Sequence, residues 1–351
     1  MNTKKQYGQF MTTNFNYILQ NINIPINVKN IIEPFCGNGD LLNFININNI
    51  QEYNIECYDI EPKKQFIIKK DTLRNPPNYK NKFLLTNPPY LARNKSTDKY
   101  LFDKYDVNDL YKCLIKELLT NSPDGGILII PLNYWSSIRV SDIKLRKDFL
   151  KVFDVLQLNI FEEQVFDDTT YTVCSFLFEL KKNNINNNIN IDIYPSKKKI
   201  SIKLDNNNNY SIGGEIYNLK LNNSFSITRA TSKNKNNTPV GCNTNILVKC
   251  IDDNINNLIG LSIVNDKDRY IDETPNLSSR TYATLIIIPS INESKQKKLV
   301  EEFNKFLYEY RNKYNSLFLT NYRESKDISR KRISFELVYN IVEYILENKI
   351  K

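Results

Sequence analysis

The first 180 residues alternate short apolar runs with stretches of helical periodicity, and this alternation constrains the fold more than any other feature of the chain. Leucine and isoleucine recur at helical spacing over 107–121, and a second helix is expected near 140–150. The apolar runs between such stretches have strand composition and span 29–35, 54–60, 64–71, 82–90, 126–132, 152–161 and 170–180. Strands joined through helices form right-handed crossovers and parallel pairs. The sequence therefore predicts an α/β fold with a Rossmann-like, mainly parallel sheet and an antiparallel hairpin at one edge.

The composition changes after Leu180. Asparagine-rich tracts cannot form a packed core and are expected to be surface loops. Two long helical stretches are predicted at about 293–313 and 333–349. Short strand-like runs lie at 190–194, 198–204, 215–220, 245–250 and 281–288. We therefore predict a first domain over 1–182 and a smaller α+β domain over 183–351.

Composition excludes several kinds of chemistry. The chain has no histidine, which removes Ser-His-Asp and Cys-His mechanisms, and its six cysteines form no C-x-x-C pair that would indicate a zinc site. No metal is therefore expected. The N-terminus lacks an apolar signal segment, and no window approaches a membrane span. These features predict a cytoplasmic protein with reduced cysteines and no membrane partner. The net charge of +9 suits a polyanion such as nucleic acid, although many basic proteins bind none.

A glycine turn follows the first predicted strand. The segment EPFCGNGDLL (33–42) places Gly37 and Gly39 between a strand and a helix, where a backbone can approach a ligand closely. Asp59 ends the second strand, in position to accept the hydroxyls of a ribose. Asp71 ends the third and could accept from an adenine amino group. A plain structural turn and solvated loop acids are the alternatives.

The segment TNPPY (86–90) ends the fourth strand at two prolines, which cannot continue a central ladder. Prolines fix the backbone, so the Pro88 carbonyl and the Asn87 side-chain oxygen form two acceptors for the hydrogens of one amino group. Tyr90 is expected to offer a face on which a planar substrate stacks. Two such acceptors favour the localised lone pair that an aromatic amine needs as a nucleophile, and positioning supplies much of the acceleration. A simple Asn-Pro-Pro turn is the alternative.

Together these motifs resemble the amino-methyltransferases that act on DNA. KKQYGQFMTT (4–13) is similar to the N-terminal motif of that family, with Thr13 where proline is common. FEEQVFDDTTYTVCSFLFEL (161–180) resembles its last catalytic-domain motif, which implies that Phe166 packs against a flipped base, with Tyr171 as the alternative. The resemblance covers about 1–182 and implies a methyltransferase sheet with S-adenosylmethionine as cofactor. The implied cofactor-binding residues are Gln9, Phe10, Thr12, Glu33, Gly37, Gly39, Asp59, Ile60, Asp71, Thr72 and Asn87.

The motif order resembles the gamma-type arrangement found in type II restriction-modification systems, with target recognition at the C-terminus. Asn87 points to adenine, because cytosine-directed relatives more often carry serine there. The resemblance implies base flipping in double-stranded DNA. The expected phosphate contacts are Arg323, Arg330, Lys331 and Arg332, with Arg280 and Arg311 as further candidates, although each one alone could be a solvated charge. A monomer is expected, with a separately acting restriction endonuclease as candidate partner, in a bacterial cytosol or a compartment of a cell that hosts a large DNA virus.

Other functions stay open on the sequence. Enzymes that methylate a glutamine of translation release factors carry the same NPPY turn, and RNA amino-methylation would use the same chemistry. A DNA-binding subunit with a degenerate methyltransferase fold is a non-catalytic alternative. A methyltransferase fused to a nuclease is also open, although no convincing metal-binding nuclease motif is visible.

Overall fold

The computed structural model of this chain describes residues 12–48, 53–166, 172–182, 187–234, 236–252, 256, 258–273, 281–324 and 329–350, without the side chains of 46–48, 320–324, 329 and 330. The chain divides into two compact units, Met1–Asn206 and Asn207–Lys351.

The first unit contains a nine-stranded sheet with the order β3-β2-β1-β4-β5-β7-β6-β8-β9. Its strands are β1 (Asn30–Glu33), β2 (Asn54–Asp59), β3 (Ile68–Lys69), β4 (Phe83–Thr86), β5 (Gly125–Pro131), β6 (Phe153–Phe161), β7 (Val173–Leu180), β8 (Asn188–Tyr194) and β9 (Lys198–Lys203). The first five strands pair in parallel, whereas β7 runs antiparallel to both β5 and β6. This arrangement confirms the predicted α/β fold with a mainly parallel sheet.

The sheet extends beyond the predicted first domain. Strand β8 pairs in parallel with β6, and β9 pairs with β8 as an antiparallel hairpin. The antiparallel hairpin at the edge is therefore β8–β9, while β6 and β7 lie inside the sheet. The division of the chain falls after Asn206 rather than after Lys182, because the hydrogen bonds of β8 and β9 attach them to the first unit.

Six α-helices accompany this sheet among the described residues: α1 (Phe15–Ile18), α2 (Leu42–Asn48), α3 (Tyr100–Tyr105), α4 (Leu110–Thr120), α5 (Asn133–Ser136) and α6 (Val140–Val152). Helix α4 buries Leu114, Ile115 and Leu118, as its apolar spacing predicts. All seven residues of β5 are buried, as expected for a strand covered on both faces. Gly126 is required in β5, because a Cβ atom there would lie 2.5 Å from the carbonyl oxygen of Leu84.

The third strand is much shorter than the predicted 64–71. Only Ile68 and Lys69 pair with β2, and both are exposed. An edge strand gains hydrogen bonds on one side alone, so the apolar run around Phe66 and Ile67 does not extend the ladder.

The second unit contains a four-stranded antiparallel sheet in the order β10-β13-β11-β12 and a two-stranded ribbon. The sheet strands are β10 (Ser226–Arg229), β11 (Asn243–Lys249), β12 (Gly260–Ile263) and β13 (Tyr282–Ile288), and the ribbon is β14 (Thr320–Glu324) with β15 (Ser329–Arg332). Helices α7 (Glu293–Tyr314) and α8 (Phe335–Asn348) confirm the two predicted helical stretches. Leu299, Phe303 and Leu307 form the buried stripe of α7.

One predicted strand of this unit is wrong. The run 215–220 contains a 3₁₀ helix, Gly214–Asn218, instead of a strand. Gly213 precedes it in a left-handed conformation with φ of 69°, which turns the chain away from an extended path. Among the described residues, none of the helices combines the length and apolarity needed to cross a bilayer.

Candidate active site

The glycine turn joins β1 to α2 and approaches the end of β2. Gly37 and Gly39 both have positive φ, 54° and 80°. The Gly37 N–H donates to Asp59 Oδ2 at 2.7 Å, and the Glu61 N–H donates to Asp59 Oδ1 at 2.8 Å. The carboxylate of Asp59 is thereby fixed in direction, with only 3% of the residue exposed. Each of its oxygens keeps a second lone pair for a ligand hydroxyl.

Glu33 lies at the carboxyl end of β1 and is 1% exposed. Its Oε1 accepts from the Thr86 hydroxyl at 2.5 Å and from the Phe35 N–H at 3.3 Å, so it links β1 to β4. Burial raises the pKa of this carboxyl well above its ordinary value, and the two donors offset part of that effect. Glu33 is thus a buried support for the turn that carries Asn87.

Asp71 and Thr72 follow β3 at the same edge of the sheet. Asp71 Oδ1 accepts from the N–H groups of Leu73 and Arg74 at 3.2 and 3.1 Å. The Thr72 hydroxyl donates to the Pro34 carbonyl at 2.8 Å and so fastens this turn to the glycine turn. Arg74 Nε lies 3.4 Å from Asp71 Oδ2, and Arg74 Nη2 donates to Asp98. These contacts connect the turn to the loop after β4.

A cavity of about 340 Å³ lies where these turns meet. Of the residues predicted to bind a cofactor, Gly37, Asp59, Ile60, Asp71, Thr72 and Asn87 line it. The lining residues that the sequence did not single out are Phe35, Lys70, Leu73, Arg74, Pro89, Leu91, Ser96, Thr97, Asp98, Leu101, Phe102 and Leu110. Many of these come from the segment 91–110, which directly follows the NPPY turn and carries no recognisable motif. Its only sequence signal is Asp109, a residue type common immediately before a helix.

Asn87 lies directly after β4, at the margin of the cavity, and is 9% exposed. Its Nδ2 donates to the Thr12 hydroxyl oxygen at 2.9 Å, and its Oδ1 accepts from the Tyr90 hydroxyl. The structure therefore brings Thr12, from the N-terminal motif, into contact with the NPPY turn. Pro88 is buried, whereas Pro89 lines the cavity.

Tyr90 does not present the stacking face that the sequence predicted. It is 2% exposed, and its hydroxyl lies 2.7 Å from the Ile129 carbonyl oxygen as well as beside Asn87. Its ring packs edge-on against Tyr111, with 6.1 Å between the ring centroids. Burial raises the pKa of Tyr90 well above its ordinary value. The ring is held inward because a buried phenol needs a polar partner, and Asn87 Oδ1 and the Ile129 carbonyl oxygen both lie within reach of its one proton.

The remaining predicted residues are less informative. Phe166 is buried and does not line the cavity. Gln9, Phe10 and Tyr171 lie outside the described residues, as does Arg280. Gly39 is beside the cavity in the glycine turn but is not part of its lining.

The predicted DNA contacts all lie in the second unit. Arg323 and Arg330 belong to the ribbon β14–β15, and their side chains are outside the description. Lys331 and Arg332 are half-buried at the end of β15. Arg311 instead donates to both carboxylate oxygens of the buried Asp252, at 3.0 and 2.7 Å. Its guanidinium group is used within the unit, so the expectation that Arg311 reaches phosphate is not supported.

Comparison with known proteins gives weak similarities. No protein-family model and no curated protein matches the chain. A type I restriction-modification methyltransferase subunit from Streptococcus thermophilus is 16% identical, with 53% of this chain and 48% of that chain aligned and a TM-score of 0.40. The type IIG restriction endonuclease BpuSI is 13% identical, with 62% of this chain and 35% of that chain aligned and a TM-score of 0.43.

The type IIL restriction-modification enzyme MmeI, solved with DNA, is 16% identical over 63% of this chain and 40% of its own, with a TM-score of 0.39. The alignments thus span about half, or less, of each of these proteins. At these identities and TM-scores the similarities carry no argument about activity, which rests on the residues of the site.

Proposed function

We propose that this chain is an S-adenosylmethionine-dependent methyltransferase that acts on the exocyclic amino group of adenine in double-stranded DNA. The observation that carries the proposal is the position of Asn87. Its side-chain amide lies at the carboxyl end of β4, on the margin of the cavity that Asp59 and Asp71 also line.

The cavity suits a nucleoside-containing cofactor. Its volume, about 340 Å³, lies within the range of small-molecule sites. Asp59 would accept ribose hydroxyls, Ile60 would contact the adenine face, and Asp71 would accept from the adenine amino group. When bound, the cofactor supplies a methyl group on a sulfonium sulfur.

The contacts of Asn87 suggest how the acceptor is held for the substrate. A side-chain carbonyl oxygen has two lone pairs, and Tyr90 occupies one. Thr12 holds the amide nitrogen, so the second lone pair of Oδ1 has a defined direction. Tyr90 is then a positioning residue rather than a stacking surface. The Pro88 carbonyl would accept the other amino hydrogen of the substrate.

Methyl transfer needs no further catalytic group under this proposal. Bonds to Asn87 and Pro88 would localise the lone pair of the amino nitrogen, so that it could take up the methyl group that the bound cofactor would supply. The amino nitrogen would release one proton to water as it gains the methyl group. Electrostatic positioning of this kind supplies large accelerations without acid–base catalysis. A chain without histidine can therefore carry out the reaction.

DNA adenine, rather than another amine, is proposed from the sequence. The N-terminal motif and Asn87 resemble those of adenine-directed DNA enzymes, and the net charge of +9 favours a polyanionic substrate. The second unit would then recognise the target sequence through its ribbon β14–β15. Base flipping would bring the adenine to Asn87, at a cost of about a few kcal/mol.

The test is transfer of a labelled methyl group by the Asn87→Ala variant. Without the acceptor oxygen, transfer to double-stranded DNA should be abolished while calorimetric binding of S-adenosylmethionine is largely kept. Asn43→Ala is the matched control, because Asn43 is an exposed residue of α2. Full activity of Asn87→Ala would reject the assigned mechanism.

The same assay identifies the substrate class. Double-stranded DNA, RNA and a translation release factor are offered separately to the wild-type protein. We expect label in DNA alone, with methyladenine as the product on digestion. Preferential labelling of RNA or of the release factor would overturn the proposed substrate and leave amino-group transfer intact.

A further inference from the structure

We propose that Asp109 is a positioning residue, whose carboxylate holds the segment 87–92 in place against the start of α4. The kinetic part of this inference rests on the proposed function. The structural part does not, because it concerns contacts within the first unit alone.

Asp109 forms a hydrogen bond with the chain immediately after the NPPY turn. Its Oδ1 accepts from the Leu91 N–H at 3.0 Å. Backbone bonds from Leu110 to Leu91 and from Arg93 to Asn108, of 3.2 and 2.9 Å, complete a short antiparallel bridge around it. The loop after β4 is thus tied to the N-terminus of α4 on both sides of the Asp109 carboxylate.

The same end of α4 also supports Tyr90. Tyr111, two residues after Asp109, packs edge-on against the Tyr90 ring, and the Tyr90 hydroxyl bonds to Asn87. Tyr90 and Leu91, which follow Asn87 in the turn, are therefore both held against the start of α4. A shift of that end would move the Asn87 oxygen relative to the substrate.

The anchor also shapes the cavity. Leu91 and Leu110, which Asp109 brings together, both line it. Loss of the carboxylate should therefore loosen the wall of the cavity as well as the direction of Asn87. We expect the larger effect on kcat, because catalysis depends more steeply than binding on the alignment of the reacting atoms.

Asp109 titrates in an accessible range. Burial raises its pKa to about 6, although Lys112 and backbone N–H groups act to lower it. The titratable groups that face it are Lys112, Tyr111 and Cys113 on α4 and Tyr90 on the turn, and Lys112 is in turn paired with Asp142 of α6. The tyrosine and cysteine pKa values are raised by burial and these groups stay neutral, and Lys112 keeps its buried ion pair. Asp109 is thus the group in this set whose charge changes near pH 6.

The sign of the pH effect follows from the hydrogen bond. An ionised carboxylate accepts the Leu91 N–H more strongly than a neutral carboxyl does. The anchor should therefore be strong above pH 6 and weaken as the pH falls through 6. An amide at position 109 would accept the same bond at every pH.

The experiment compares Asp109→Ala and Asp109→Asn with the wild type. Exposed Asp106, which directly follows α3, provides the matched control Asp106→Asn. Hydrogen exchange of the peptide covering 87–93 is measured at one pH for all four proteins, and methyl transfer to DNA is measured between pH 5 and 8. Denaturant unfolding shows whether each variant is folded.

We expect Asp109→Ala to speed exchange of 87–93 and to lower kcat on the order of tenfold or more, with a smaller change in cofactor affinity. Asp109→Asn should keep most of the wild-type kcat at pH 8 and lose the decline through pH 6. Asp106→Asn should match the wild type in every measurement. Rescue by asparagine is the signature of an acceptor that positions the turn.

Two results would overturn the inference. One is unchanged exchange of 87–93 in Asp109→Ala. The other is an Asp109→Asn variant as impaired as Asp109→Ala, with both equally destabilised, which would show a merely structural role. If the wild type transfers no methyl group to DNA, the proposed function fails, and the exchange measurement still decides whether Asp109 is the anchor.

Discussion

The pKa of the buried Glu33 carboxyl can be tested through its effect on the stability of the protein at different pH values. The Glu33 carboxyl is buried at the end of β1, and burial raises its pKa well above the ordinary 4.5. Among the described residues, Oε2 has no hydrogen-bond partner, whereas Oε1 has two. An uncharged carboxyl fits such a place better than a carboxylate does.

We therefore predict that the cost of Glu33→Gln in folding free energy shrinks as the pH rises. The folded protein holds the Glu33 proton more tightly than the unfolded chain, so this residue favours folding most below pH 4.5 and progressively less above it. Glutamine does not titrate. Urea unfolding of both proteins from pH 4 to 8 measures the difference, and a pH-independent difference would show that the pKa of Glu33 is the same in the folded and the unfolded protein.

Single residues also show the limit of sequence reasoning about the site. Asp59, Asp71 and Asn87 were placed correctly at one edge of the sheet, because strand ends and turn residues mark their positions locally. The inward ring of Tyr90 could not be foreseen. It depends on the carbonyl of Ile129 and the ring of Tyr111, which only the packed structure brings within reach.

At the scale of elements, α4 and α6 are joined by a buried pair of charges. Lys112 donates to Asp142 and, at 2.8 Å, to Asn108, and the Ser137 hydroxyl donates to Asp142 at 2.7 Å. Burial lowers the pKa of Lys112. For Asp142 burial acts to raise the pKa, but Lys112 and Ser137 outweigh it and hold the value below its ordinary range. Asp142 is therefore ionised at neutral pH, and its contact with Lys112 opposes the effect of burial on the pKa of that lysine.

Breaking this pair from one side should be more damaging than replacing it. Asp142→Ala leaves a buried ammonium group without its counter-ion and should cost about 3–5 kcal/mol of unfolding free energy. The double variant Lys112→Met with Asp142→Leu should cost less than Asp142→Ala alone. A double-mutant cycle in urea gives the coupling energy, and additive costs would show that the two charges do not interact.

Elements differ in how well the sequence predicts them. Helices α7 and α8 were placed to within two residues, because an apolar stripe at helical spacing is a local signal. Strands β8 and β9 are also predicted as strands, within the second predicted domain, whereas their pairing attaches them to the first compact unit. Which sheet a strand joins depends on long-range pairing, here of β8 with β6. The asparagine-rich segment before β8 gives no sign of that pairing in the sequence.

At the scale of the whole molecule, the net charge of +9 is the property most relevant to the proposed substrate. The internal pair of Arg311 with Asp252 shows that not every cation is available to a partner. The ribbon β14–β15, whose arginines the sequence singled out, remains the proposed DNA surface.

We predict that Arg330→Ala combined with Arg332→Ala weakens DNA binding and flattens its salt dependence. If both guanidinium groups contact phosphates, the slope of log K against log salt should fall in magnitude by about 2. The control removes two exposed charges from α7, as Lys297→Ala with Lys298→Ala. Titrations at several salt concentrations measure both slopes, and a change confined to the α7 variant would place the DNA surface there.

The last strand of the nine-stranded sheet has a consequence for how copies of this protein behave toward one another. Strand β9 forms the end of the sheet, and its outward positions include Lys199 and Lys203. A sheet end carries backbone groups that could pair with another chain, and lysines there oppose such pairing by charge repulsion. We therefore expect lysines on this strand to disfavour strand-by-strand association of copies at high concentration.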